Sequence, residues 1–292
     1  MDIKYHETVL VEEVIEALHI KKGGKYIDAT SGNGGHIMEI LKLGGEVLGI
    51  ELDPVMFKMA EKRLKDSSQD NFKLINSNFT EISTIAKSNS WEKVQGILFD
   101  LGVTNLHLKD MERGFSFNNA EAVLDMRINP NTQGVMGKDL LNVLREDQLR
   151  ELFEITLEPG AAKWITGRVL HSREAKPIET VGDLLEISNG LKTGKTSINE
   201  ATLPFLAVRI AVNSELTNLE EVLPKAFDLL DKGGRLVVIS FHSKEDVLVK
   251  DFFKSKVSEG AKMITFKPIM AGEKELEINK RARSAKMRIL EK

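Results

Sequence analysis

The chain reads as an α/β protein: a doubly wound, seven-stranded sheet interrupted by an inserted helical domain. Three observations carry this. Residues 25–53, KYIDATSGNGGHIMEILKLGGEVLGIELD, run strand, glycine-rich turn, helix, strand. QGILFDLG at 95–102 and GGRLVVISFHS at 233–243 are apolar enough to be strands buried on both faces. Between them, residues 134–200 read as helices joined by short breaks.

In chain order, ETVLVEEVIEALH (7–19) spaces Val11, Val14, Ile15 and Leu18 as a helix, with His6 ahead of it reading as a surface histidine. Tyr26 and Ile27 lead into Asp28, and Gly32, Gly34 and Gly35 follow. Glycine permits the positive φ and close approach that a ligand across a strand-to-helix turn requires. The helix from His36 to Leu43 aims its first amides at whatever fills the turn. Val47, Leu48 and Ile50 form the second strand, with Glu51 and Asp53 at its carboxyl end, where an acid accepts bonds from ribose hydroxyls. A nucleoside-containing cofactor is expected there; an ordinary glycine turn is the bland alternative. The pattern G-N-G-G-H is not the nicotinamide fingerprint, and no triphosphate-binding G-x-x-x-x-G-K-[ST] occurs. S-adenosyl-L-methionine has a ribose and no phosphate, which suits a site edged by Asp28, Glu51 and Asp53.

Pro54 starts a helix running to about Leu64, and FKLINSN (72–78) is a third strand. Phe79 follows it, placed either to stack on adenine or to pack in the core. Asp100 ends the fourth strand, and a carboxylate at that edge projects into the ligand crevice. The next stretch, TNLHLKDMERGFSFNNAEAVLDMRINP, has little periodicity and interleaves Arg113 and Arg127 with Phe115 and Phe117. Cations among aromatics suit base stacking with phosphate contact, and two loop-anchoring phenylalanines are the equal alternative. Helices are expected at 140–155, at 161–174 with Lys163, Arg168, His171 and Arg173, and at 180–188 with Thr180 as N-cap. That basic cluster is a solvated face or a polyanion contact. Pro204 opens a helix on which Arg209 and Asn213, four apart, share a side. The strand 233–243 brings His242 and Ser243 to its carboxyl end. Strands at 262–269 and 285–292 complete seven, the last two placed to pair as a hairpin, whereas a nicotinamide domain ordinarily has six. Residues 280–292 hold six cations, Arg281 and Arg283 among them, against Glu291, a patch suited to a nucleic-acid backbone.

The chain has 292 residues, no cysteine and net charge −3. The missing thiols exclude disulfides, thiolate catalysis and cysteine-held metal clusters. No apolar run approaches a membrane span and no signal-peptide layout opens the chain, so a cytoplasmic protein is expected, with oligomeric state undetermined. A slightly acidic balance argues mildly against nucleic-acid binding, although local patches decide. The histidines lack ligand-like spacing, so no metal site is expected.

HETVL, DATSGNGGH, FDLGVTNLHL, ERGFSF, LDMRINP, AVRIAVNSEL, GGRLVVISFHSKED and RARSAKMR, spread over nearly the whole chain, together resemble the bacterial 16S ribosomal RNA (cytosine-N4) methyltransferase family. The resemblance implies a Rossmann-like methyltransferase domain at 1–107 and 206–292, interrupted by a helical, RNA-recognising domain at 108–205. It implies S-adenosyl-L-methionine-dependent methylation of a cytidine amine in the decoding region of 16S rRNA, within the small ribosomal subunit. Gly34, Gly35 and His36 match the family's cofactor loop, Glu51 its ribose acid, and Phe79, Asp100 and His107 further cofactor positions. Asp100 is the candidate catalytic group, and Arg113, Phe115, Phe117, Arg209, Asn213, Arg281 and Arg283 are the candidate RNA contacts. The chain departs from the pattern at Ser31 and Asn33, where an aromatic and an arginine are usual, at His107, where many members have Gln, in TLPFLAVRI, and in GAAKWITGRVLHSRE, which lacks the usual acids. A nicotinamide-dependent oxidoreductase and a non-catalytic RNA-binding assembly factor are the rival classes.

Overall fold

A computed structural model describes residues 8–67, 69–193 and 199–292, without the side chains of Asn105, Lys109 and Arg281. The elements begin α1 (Val11–Leu18), β1 (Lys25–Asp28), α2 (Gly35–Lys42), β2 (Glu46–Glu51), α3 (Pro54–Asp66), β3 (Phe72–Asn76), α4 (Ile82–Ser88) and β4 (Val94–Asp100). A helical run follows: α5 (Asn105–Lys109), α6 (Gly137–Val143), α7 (Glu146–Glu154), α8 (Pro159–Ala175), α9 (Val181–Ser188) and α10 (Thr202–Asn213). The chain closes with α11 (Glu215–Leu229), β5 (Leu230–Ser240), α12 (Ser243–Ser258), β6 (Lys262–Met263), α13 (Glu273–Ile278) and β7 (Lys286–Glu291). Two compact units result: Met1–Gly102 with Leu216–Lys292, and Val103–Glu215.

The first unit is a seven-stranded sheet of order β3-β2-β1-β4-β5-β7-β6. Strands β1 to β5 are parallel, and β7 runs antiparallel to both β5 and β6. This is the expected seven-stranded, Rossmann-like α/β sheet, and the antiparallel β7 inserted beside β5 departs from the six-strand dinucleotide order 3-2-1-4-5-6. Alternate strand residues feed two apolar layers. Ile27, Leu48, Ile97, Phe99, Leu236 and Val238 pack with Ile82, Leu219, Val222, Leu223, Val249 and Phe253 on one face. Tyr26, Val47, Leu98, Val237, Ile239 and Met287 pack with Val14, Leu18, Ile37, Ile40 and Leu64 on the other. The order reverses between β1 and β4, and in open α/β sheets ligands bind beyond the carboxyl ends of the strands at such a reversal.

Three expected elements are corrected. The helix over 140–155 is two, because Leu144 turns extended (ψ 140°) and the Arg145 N–H, capping α7, donates to Gln148 Oε1 at 3.1 Å. The strand over 262–269 keeps only Lys262–Met263 in the ladder, with Ile269 rejoining Met287 as a lone bridge; Pro268, one residue earlier, has no N–H to donate. The strand over 233–243 ends at Ser240, and His242 instead caps α12, its ring accepting the Glu245 N–H. Thr180 caps α9 as expected, accepting from Asp183 N–H.

The helical unit has its own core, from Leu141, Leu149, Leu152 and Phe153 to Ile165, Val169, Val181, Leu184 and Val208. Among the described residues no helix is long and apolar enough to cross a membrane.

Candidate active site

The glycine turn of the sheet unit is braced by β2. Ser31 N–H donates to Ile50 O at 2.9 Å, and Gly34 N–H donates back to Ser31 O at 2.8 Å. Gly34 has φ +82°, a conformation that strains any other residue, and a side chain on Gly35 would overlap Thr8. Between the two strand-end acids the structure decides plainly. Glu51 turns into the loop, its Oε2 accepting Gly32 N–H at 2.6 Å and its Oε1 accepting Asp53 N–H at 2.8 Å. Asp53 is fully buried as the N-cap of α3, accepting Val55 N–H at 2.6 Å. A second brace comes from α3, whose Arg63 donates to Asn33 Oδ1 at 3.1 Å and so sets a guanidinium beside position 33.

Asp28 is 1% exposed, and its Oδ1 accepts Thr30 N–H at 3.2 Å while its Oδ2 is buried with no partner. Thr30 also ties this strand end to its neighbour, its Oγ1 accepting Asp100 N–H at 2.6 Å. Burial, with Asp100 nearby, pushes Asp28 up to about 7. Burial likewise pushes Glu51 up to about 8, against the two N–H bonds that favour its charged form. Acids ending three adjacent parallel strands thus gather at the reversal of strand order, with Asp28 and Glu51 desolvated and one Asp28 oxygen unsatisfied. Orphaned buried carboxylate oxygens are costly unless a ligand supplies donors. A ribose for Glu51 and a cationic group for Asp28 both fit that need. The sequence places Asp28 at the edge of the site, as an acid ending the strand that feeds a glycine turn, without assigning it a contact; nothing local marks Thr30.

Phe79 is half-buried, its ring edge-on to Phe99 at 5.6 Å and packed against the core of the sheet unit. The His36 side chain does not face the turn: it is buried and its Nε2–H donates to Val9 O at 3.0 Å. Burial lowers it to about 4, so the ring is neutral and ties down the segment before α1. Only its main chain, in the first turn of α2, is available to a ligand.

His107 belongs to the helical unit. There it caps α5, with Nδ1 accepting Thr104 N–H at 3.0 Å, and its ring lies 5.2 Å from Phe115. Most of the residues singled out for RNA are internal struts of this unit. Arg113 donates to the carbonyls of Arg127 and Ile128 at 2.8 and 2.7 Å. Phe115 is 7% exposed, and Phe117 packs edge-on to Phe205 at 4.6 Å, so both anchor the loop. Arg209 makes a two-pronged ion pair with Glu215, at 2.8 and 2.9 Å. Asn213, 5% exposed, accepts Ile128 N–H at 2.9 Å and donates to Met126 O at 2.8 Å. In the terminal basic patch Arg283 is exposed, while Arg288 is buried against Asp246 at 2.7 Å. The side chain of Arg281, like His6, lies outside the described residues.

The profile of the MraW methylase family matches residues 4–292. Two proteins named ribosomal RNA small subunit methyltransferase H are each 38% identical to this chain. That from Methylacidiphilum infernorum aligns over 99% of this chain and 94% of its own; that from Brevibacillus brevis aligns over 99% and 98%. Among solved structures, a putative methyltransferase from Streptococcus mutans in complex with SAH aligns over 98% of both chains, at 13% identity and TM-score 0.48.

Proposed function

The chain belongs to the MraW methylase family, and from that premise we propose that it methylates small-subunit ribosomal RNA from S-adenosyl-L-methionine, at the exocyclic N4 amine of a 16S cytidine. The supporting observation is the acid cluster of Asp28, Glu51 and Asp100 around the glycine turn. When bound, S-adenosyl-L-methionine supplies a methyl group already made electrophilic by its sulfonium. Glu51, held by two backbone amides, accepts from the ribose hydroxyls. Gly34 and Gly35 leave room over the turn, and the first amides of α2 face it. The exposed part of the Phe79 ring covers the adenine. Asp28, with one oxygen unsatisfied, is the counter-charge for the cofactor's cationic end.

Asp100 carries the chemistry. A cytosine amine is a weak nucleophile because its lone pair is conjugated with the ring. A carboxylate accepting one of its hydrogens localises that lone pair, orients it for in-line attack and then takes the proton. The base must leave its stack to reach a strand-end carboxylate, so the substrate nucleotide is unstacked or flipped.

The deciding experiment is methyl transfer from labelled S-adenosyl-L-methionine to small-subunit particles and to free 16S rRNA, followed by mapping of the modified base. Label on a cytidine N4 is expected. Label on another atom would overturn the N4 assignment. Cofactor binding without transfer, or RNA binding without cofactor affinity, would leave a non-catalytic assembly factor.

A further inference from the structure

Helix α8 buries Ala162, Ile165, Thr166 and Val169 in the core of the helical unit. Its opposite face carries Lys163, Trp164, Gly167, Arg168 and His171, all exposed. Their spacings place them on one stripe of the helix. Three features set that stripe apart. Trp164 is 39% exposed, with the Arg168 guanidinium 5.3 Å from its ring centre. Arg168 is held there by a 2.9 Å bond to Glu186 O, so the pair is positioned rather than loose. Gly167 stands in mid-helix, where only proline is a poorer choice, yet a Cβ there would meet nothing within 4 Å. Internal packing therefore does not require the glycine. Finally, from Pro159 to Arg173 the helix carries no acid; Glu158 and Glu174 lie at its ends.

A bare strip of backbone beside an ordered tryptophan, flanked by cations, suits a polyanion that brings flat rings. We propose that this stripe docks single-stranded RNA: a base stacks on Trp164, and the ribose–phosphate chain crosses at Gly167 between Lys163, Arg168 and His171. Stacking is indifferent to base identity, and glycine lets the strand approach the helix closely, so the face grips and positions rather than selects. The ribosomal identity of the strand rests on the function proposed above; the docking chemistry does not.

The test uses the full chain and fluorescein-labelled 16S rRNA, with anisotropy measured across a salt series. Melting curves and calorimetry with S-adenosyl-L-methionine run alongside. Leucine is the better helix former, so Gly167→Leu should hold or raise the melting temperature while RNA affinity falls about tenfold. Trp164→Ala should weaken binding about fivefold or more with the salt slope unchanged. The Lys163→Glu/Arg168→Glu double variant should flatten that slope by about 1.4 or more. All three should bind the cofactor as wild type does. Wild-type RNA affinity in Gly167→Leu and Trp164→Ala, both folded, would overturn the proposal. So would variants that lose small-subunit particles but bind naked RNA normally, since the face would then dock a protein. A wild type that grips RNA through this face and transfers no methyl group would refute the enzymatic reading and leave this one standing.

Discussion

The two units differ in how the polar residues of their most distinctive loops are satisfied. In the sheet unit, Asp28 keeps a buried carboxylate oxygen without a partner, and Glu51 is held well above its ordinary pKa by desolvation. In the helical unit the distinctive polar residues are matched internally. Arg127 forks onto both oxygens of Asp125 at 2.6 and 2.8 Å, and Asn213 joins the loop at Met126 and Ile128 to its own helix. The sequence strings around these sites, DATSGNGGH and LDMRINP, look equally informative. Their physics differs, because a satisfied network holds architecture together while an unsatisfied acid waits for donors from outside.

That contrast can be broken by variants that separate chemistry from folding. The largest effect belongs to Asp100→Ala. Methyl transfer to small-subunit particles should fall by about 1000-fold or more, roughly 4 kcal/mol of barrier, with little change in melting temperature. Turnover within tenfold of wild type would remove Asp100 from the chemistry.

Next comes pH. Asp28 and Glu51 sit at about 7 and about 8 rather than 3.8 and 4.5. The native state therefore holds protons that the unfolded chain has already lost across that window. Their contribution to stability is full below about pH 4 and declines as pH rises through 7 to 8, by about 4 kcal/mol for Asp28 alone. Asp28→Asn should flatten urea-derived stability over this range; if Asp28 is the cofactor's counter-charge, wild-type affinity for S-adenosyl-L-methionine should rise with pH as Asp28 ionises and the variant's should not. An unchanged slope would refute Asp28 as the titrating group.

In the other unit, Asn213→Ala strands donors and acceptors in the interior. It should cost about 2–4 kcal/mol in urea unfolding while leaving the S-adenosyl-L-methionine Kd within twofold. Loss of cofactor binding in that variant would dissolve the distinction between the units. The smallest effect is Glu51→Gln, which keeps one acceptor and converts the other into a donor. Cofactor affinity should drop about tenfold in calorimetry, and a wild-type Kd would free Glu51 from the ribose.

What the sequence by itself determined is what local chemistry decides. Continuous apolar runs marked the strands and apolar spacing near four marked most helices, the Thr180 cap announced α9, and the glycines announced the turn. These signals lie within a few residues of the structure they specify. Only the tertiary structure decided that Glu51 rather than Asp53 enters the turn, that His36 points at Val9, and that Arg113 and Asn213 brace a loop. It also showed Gly167 to be bare and Arg288 buried. The reason is that a polar side chain's role is set by whichever partner arrives beside it. For Asn213 that partner is a main-chain amide 85 residues away in sequence, which no local pattern encodes.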